Sequence, residues 1–159
     1  MRLTMYTDYA LRMLIQLGLQ PDNRLVTIGE IATSFGISKN HLTKVAQQLS
    51  VGGYVEAVRG NGGGLRLAMS PAEINVGDVV RMTEKDFSLV GCFEEGGRCQ
   101  IDSACMLRPA LATALSAFFA ALDKFTLQDL LVTRPLLNAA LYPESGQGRP
   151  LHGDVPLLP

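Results

Sequence analysis

Thr27-Ile28-Gly29-Glu30-Ile31-Ala32-Thr33-Ser34-Phe35-Gly36-Ile37-Ser38-Lys39-Asn40-His41-Leu42-Thr43-Lys44-Val45-Ala46 decides the fold class. Thr27 and Glu30 have the spacing of a capping box, which predicts a short helix from Ile28 to about Ser34. Phe35-Gly36-Ile37 reads as a tight turn, and Ser38 is a natural N-cap for a second helix. That helix carries Leu42, Val45, Ala46 and Leu49 inward and is stopped by Gly52-Gly53. Two helices joined by a Gly-containing turn form a helix-turn-helix, in which the second helix can project its outer face into a DNA major groove.

The flanking segments extend this unit. From Thr4 to Leu19, Tyr6, Ala10, Met13, Leu14 and Leu17 recur on one helical face. Downstream, Tyr54–Val58 and Leu65–Met69 alternate with period two around the loop Arg59-Gly60-Asn61-Gly62-Gly63-Gly64, which predicts a β-hairpin. Asn75 caps a further short helix to about Glu84. The order helix, short helix, turn, helix, hairpin is that of a winged helix-turn-helix. The fold class expected is therefore mainly α with a small β-hairpin wing, followed by a long dimerisation helix.

Ser38, Lys39, Asn40, His41, Thr43, Lys44 and Gln47 fall on the outer face of the second helix. Lysines suit phosphates, while Asn, His and Gln can reach base edges. Arg59 and Asn61 at the hairpin tip sit on a backbone bare enough for a minor groove. The competing account makes these ordinary solvated residues; the ordered series of elements favours double-stranded DNA as partner. The glycine loop is not a nucleotide cradle, because it lacks Gly-Lys-Ser/Thr and leads into a strand.

The chain has 159 residues, 47% of them hydrophobic and 18% charged, which excludes wholesale disorder. Residues 1–70 hold seven Lys/Arg and four Asp/Glu, whereas 71–159 hold seven and eleven, so a net charge of −1 conceals a basic front end. No apolar run has the length of a membrane span, and Met1-Arg2-Leu3-Thr4 does not open a signal peptide. A cytoplasmic protein with no membrane association is expected. No catalytic constellation is suggested, so an enzyme is not expected.

The three cysteines, Cys92, Cys99 and Cys105, lie within fourteen residues. Their spacing is not the paired Cys-x-x-Cys of a zinc ribbon. An iron–sulfur cluster suits the wider loop, with Gly91, Gly96 and Gly97 supplying turns and Phe87, Leu89, Val90, Phe93 and Ile101 excluding water. Three structural thiols, or zinc held by three cysteines and another side chain, are the alternatives. A fourth ligand could be water or a carboxylate, Asp102 nearby or Asp8 far away in sequence. Neither histidine, His41 nor His152, lies in the loop. The plain account of Asp8 is a first-turn acid paired with Arg12 at i+4.

The longest helical pattern runs from Met106 to about Lys124, with Leu107, Leu111, Ala114, Leu115, Phe118 and Leu122 on one face. Seven alanines between Ala104 and Ala121 allow close backbone approach. Thr126–Asp129 can restart a turn or two. The organisation expected is a winged domain over 1–84, a cluster loop over 85–105, a dimerisation helix over 106–132, and a mostly disordered tail over 133–159, where five of eight prolines fall.

With these residues assembled, the chain resembles the Rrf-type winged-helix regulators, and within them the nitric-oxide-sensing repressors. The resemblance rests on the opening Met1–Arg12, on Ile31-Ala32, on Ser38-Lys39-Asn40-His41-Leu42, on the wing Arg59–Leu65 and on the cysteine loop, and covers about residues 1–132. It implies a homodimeric repressor holding one cluster per subunit, [4Fe–4S] with Asp8 of the partner subunit as fourth ligand, and losing DNA on reaction with nitric oxide. Family members with [2Fe–2S] also exist. A second branch places histidine three residues after the last cysteine, where this chain has Arg108.

Overall fold

In the computed structural model, which describes residues 2–21, 24–93, 96–97, 99–101 and 104–143, the Thr4 hydroxyl accepts the Thr7 amide and starts α1 (Met5–Gly18). The expected apolar face is the buried one: Ala10, Met13, Leu14 and Leu17 lie in the core and Tyr6 packs at its edge. The α2 helix (Ile28–Phe35) begins with the complete Thr27–Glu30 capping box. Hydrogen bonds from Thr27 hold the Glu30 carboxyl below its usual pKa. Gly36 closes α2 at φ 66°, a left-handed conformation that a side chain would strain. The turn then delivers Ser38 as N-cap of α3 (Lys39–Val51).

Leu42, Val45 and Leu49 are fully buried, with Ala46 beside them; each large apolar side chain contributes roughly 1.5–3 kcal/mol of burial. Strands β1 (Val55–Val58) and β2 (Gly64–Leu67) pair antiparallel, with Glu56 opposite Arg66 and Val58 opposite Gly64. The hairpin is anchored to the α1–α2 connection by a two-bond bridge between Val26 and Leu65, at 3.0 and 2.8 Å. Both strands are shorter than the alternating pattern suggested. The chain then enters a 3-10 turn, Pro71–Glu73, and α4 (Val76–Thr83), capped by Asn75.

A 3-10 turn at Gly91–Phe93 lies in the cysteine segment, and α5 spans Leu107–Leu122. Thr126 restarts the chain as α6 (Leu127–Leu130). Leu127 and Leu131 enter the core, and the Leu127 amide donates to the Ile74 carbonyl at 2.8 Å. The front end and this C-terminal portion therefore share one core, with α1 packed against α3, α4, β2 and α6.

The expectation of disorder from residue 133 is corrected over its first part. Arg134–Leu141 form α7, and Leu137 and Leu141 pack against the core. Pro135 falls in the first turn, where a missing amide breaks no helical hydrogen bond, so proline density does not exclude a helix there. The remainder of that tail, 144–159 with His152, lies outside the described residues, as does Asp102. Among the described residues no helix is long and apolar enough to cross a membrane.

Candidate nucleic-acid interface and cysteine loop

Lys39, Asn40, His41, Thr43, Lys44 and Gln47 are exposed on α3, as their spacing required once Leu42, Val45 and Leu49 turned inward. The exposed Ser38 accepts the His41 amide at 3.4 Å and so opens the helix. The Thr43 hydroxyl donates to the Lys39 carbonyl at 2.8 Å, leaving its oxygen as an acceptor. Lys39, Lys44 and Arg59 make no ion pair among the described residues.

Two aromatic residues of α1 seat this helix. The Tyr6 hydroxyl donates to the Lys44 carbonyl at 2.8 Å, and burial pushes its pKa up. The Tyr9 and His41 rings stack with centroids 6.2 Å apart. The periodicity of α1 placed Tyr6 on the core face but gave no sign of its hydroxyl's role, and Tyr9 was missed; only the tertiary fold brings α1 across α3.

At the wing, Arg59 and Asn61 are exposed on the tip. The Gly63 amide closes it on the Gly60 carbonyl at 3.0 Å. A side chain at Gly63 would collide with the Val58 carbonyl, so the tip has the bare backbone that close approach to DNA needs.

Asp8 and Arg12 form an i,i+4 ion pair at 2.9 Å, both side chains about half exposed. The Arg12 guanidinium also lies 5.7 Å over the Phe35 ring, bridging α1 to α2. The plain account of Asp8 is thus present in the fold.

Cys92, Cys99 and Cys105 are free thiols; Cys99 is exposed and the other two half-buried. Among the described residues no three His, Cys, Asp or Glu side chains converge into a metal site. Within one chain the three thiols are therefore not gathered into such a site. The donor chemistry fits an iron–sulfur group nonetheless: three free thiols, all soft ligands, share the connection between α4 and α5. Gly96 adopts φ 79° and supplies one of the expected turns. Of the apolar residues expected to exclude water, Phe87, Leu89, Val90 and Phe93 are half-buried, whereas Ile101 is 63% exposed.

Beyond this loop, α5 is apolar in composition and buries none of its sixteen residues. Met106 and Leu107 at its start are 78% and 62% exposed.

A helix-turn-helix with an exposed polar face on its second helix, a glycine-built wing and a thiol-bearing loop define a DNA-binding transcriptional regulator of the winged-helix class. The chain belongs to the Rrf2 family of iron-dependent transcriptional regulators, whose family model it matches over residues 3–133. It is 51% identical over 132 residues to the HTH-type transcriptional regulator NsrR of Bacillus subtilis, covering 82% of this chain and 90% of the relative. Identity to the NsrR of Bacillus licheniformis is 50% over 142 residues, 89% of this chain and 99% of that one. Among solved structures, the global cysteine regulator CymR of B. subtilis superposes with a TM-score of 0.63 at 25% identity, covering 82% of this chain and 95% of that one. IscR of T. potens gives 0.66 at 23% identity, over 93% of this chain and 94% of that one, a likeness of fold.

Proposed function

We propose that the chain is a homodimeric repressor that senses nitric oxide through an iron–sulfur cluster held by Cys92, Cys99 and Cys105, with Asp8 of the partner subunit as the fourth ligand and [4Fe–4S] favoured over [2Fe–2S]. The observation that carries this reading is the position of the chain's three cysteines: all are free thiols on the connection between α4 of the winged domain and α5, a helix with no fully buried residue within one chain. The similarity to proteins named NsrR supports the same reading.

When bound, the cluster supplies iron that reacts with nitric oxide. The chain's residues do the rest. The thiolates hold the loop in one arrangement, and the carboxylate, a harder and more labile ligand than thiolate, ties that loop to the other subunit. The α5 faces of two subunits cover one another, which sets the two α3 helices roughly 34 Å apart, one turn of DNA. Ser38, Lys39, Asn40, His41, Thr43 and Lys44 then meet one major groove per subunit, with Arg59 and Asn61 at the flanking minor groove. Loss of the loop's arrangement releases that spacing and the DNA.

Anaerobic purification followed by an optical spectrum and a nitric oxide titration tests the reading. Brown protein that loses duplex DNA in proportion to added nitric oxide is the expected result. Colourless, zinc-containing protein overturns it.

A further inference from the structure

Three residues at the end of α4, Arg81, Met82 and Glu84, touch three other helices on the way into the cysteine loop. Arg81 makes two hydrogen bonds to the Asp123 carboxylate just beyond α5, at 2.8 and 2.7 Å, and lies 4.5 Å over the Phe119 ring. The Met82 carbonyl accepts the Gln48 side-chain amide at 2.6 Å, and Gln48 stands in the last turn of α3. Glu84 Oε1 receives the Thr4 amide at 2.7 Å, the Thr4 hydroxyl at 3.1 Å and the buried Thr7 hydroxyl at 2.6 Å. Phe87, three residues on, meets Phe119 edge-on at 4.6 Å.

Each contact has a physical reason. Met82 lies among the last four carbonyls of α4, which have no intrahelical partner, so its oxygen takes its bond from outside the helix. Glu84 places a carboxylate at the N-terminus of α1, where the helix dipole and the free amides favour it. Thr7 is the neighbour of Asp8, so Glu84 grips the turn that carries that carboxylate. A groove of about 1010 Å³, lined by Arg2, Tyr6, Met82, Leu89 and Phe118 among others, lies beside the segment.

We propose that Gln48 and Glu84 are positioning residues: they attach the recognition helix and the first turn of α1 to the segment entering the cysteine loop, so that rearrangement of the loop re-aims both helices. The proposal rests on the sensory reading of that loop. It makes the coupling direct, through hydrogen bonds from Arg81–Glu84, in addition to any change in the spacing of two subunits.

The test compares full-length protein with and without the loop thiols (Cys92→Ser, Cys99→Ser and Cys105→Ser together) in two backgrounds, the natural one and Gln48→Met with Glu84→Ala. Two responses are read: affinity for a duplex selected by the natural protein from a random pool, and amide hydrogen exchange across α3 and the first turn of α1. In the natural background both respond to thiol loss. In the altered background the response should shrink roughly threefold to thirtyfold, and Glu84→Gln, which keeps the accepting oxygen, should restore the α1 part. A response of equal size in both backgrounds overturns the junction while leaving the sensory loop intact. No response in the natural background removes the sensory reading and the junction with it. If Glu84→Ala does not fold, Gln48→Met alone decides: an undiminished exchange response in α3 sinks the proposal.

Discussion

The buried Gln16 side-chain amide donates to the Tyr142 hydroxyl at 3.0 Å, tying the end of α7 to the last turn of α1 across most of the chain. The same amide reaches Ser34 Oγ on α2 at 3.0 Å, and Gln20 also donates to the Tyr142 hydroxyl at 3.0 Å. Helix α7 is therefore fastened to α1, and through Gln16 to α2 of the helix-turn-helix, by polar contacts. Gln16 is fully buried and its Oε1 has no partner among the described residues, so the donors on its amide nitrogen matter all the more.

Tyr142→Phe removes the acceptor for both glutamines and keeps the ring. The expected cost is about 1 kcal/mol, read as a lower thermal midpoint, together with faster amide exchange in Arg134–Leu141. An unchanged midpoint would show that α7 is held by Leu137 and Leu141 alone.

The Arg81–Asp123 pair should mark the acid limb of the stability curve. Hydrogen bonding to Arg81 holds the Asp123 carboxyl below its usual range, and the same contact raises the guanidinium's pKa. A carboxyl depressed in the fold stabilises above its unfolded pKa of about 3.9 and ceases to do so as pH falls through the lowered value. Asp123→Asn should therefore lower the thermal midpoint at pH 7 and lose that effect progressively below about pH 4. An equal difference at pH 7 and at the acid end would assign the effect to packing.

Leu115→Glu should yield monomers with weak DNA binding. Leu115 lies mid-way along α5, half-buried in a helix none of whose residues is fully buried within one chain, so a charge there falls on the face proposed to meet the second copy. Sedimentation at low micromolar concentration reads the outcome, and a persistent dimer rejects α5 as the interface.

Arg59→Ala should cost roughly 1–3 kcal/mol of DNA affinity if the wing tip enters a narrow minor groove. A loss confined to non-specific duplex would place Arg59 on phosphate instead.

Asp8 has two accounts with opposite consequences. As a ligand from the partner subunit, its replacement by Ala should leave coloured protein with altered nitric oxide kinetics, while Asp8→Cys should slow the reaction. Cys92→Ser, Cys99→Ser or Cys105→Ser should abolish the colour. Unchanged spectrum, kinetics and DNA affinity in Asp8→Ala would reduce the residue to its ion pair with Arg12.

The local code of this chain determined its elements. Capping boxes, the inward spacing of Leu42, Val45 and Leu49, and the glycines of the wing act within a few residues, so α1 to α4 and the hairpin were legible within a residue or two at most ends. The exposed face of α3 was legible for the same reason: once one side of the helix is buried, the other is left to solvent. Composition misled at α7, because a proline count takes no account of position in a helix, and Pro135 sits where the first turn tolerates it. What only the tertiary structure decided were contacts between residues far apart in sequence: Tyr6 on the Lys44 carbonyl, Gln48 on Met82, Glu84 on Thr4 and Thr7, Gln16 on Tyr142. Such pairs leave no periodic trace, since a hydrogen bond between two helices depends on their crossing, and the crossing is set by the whole core.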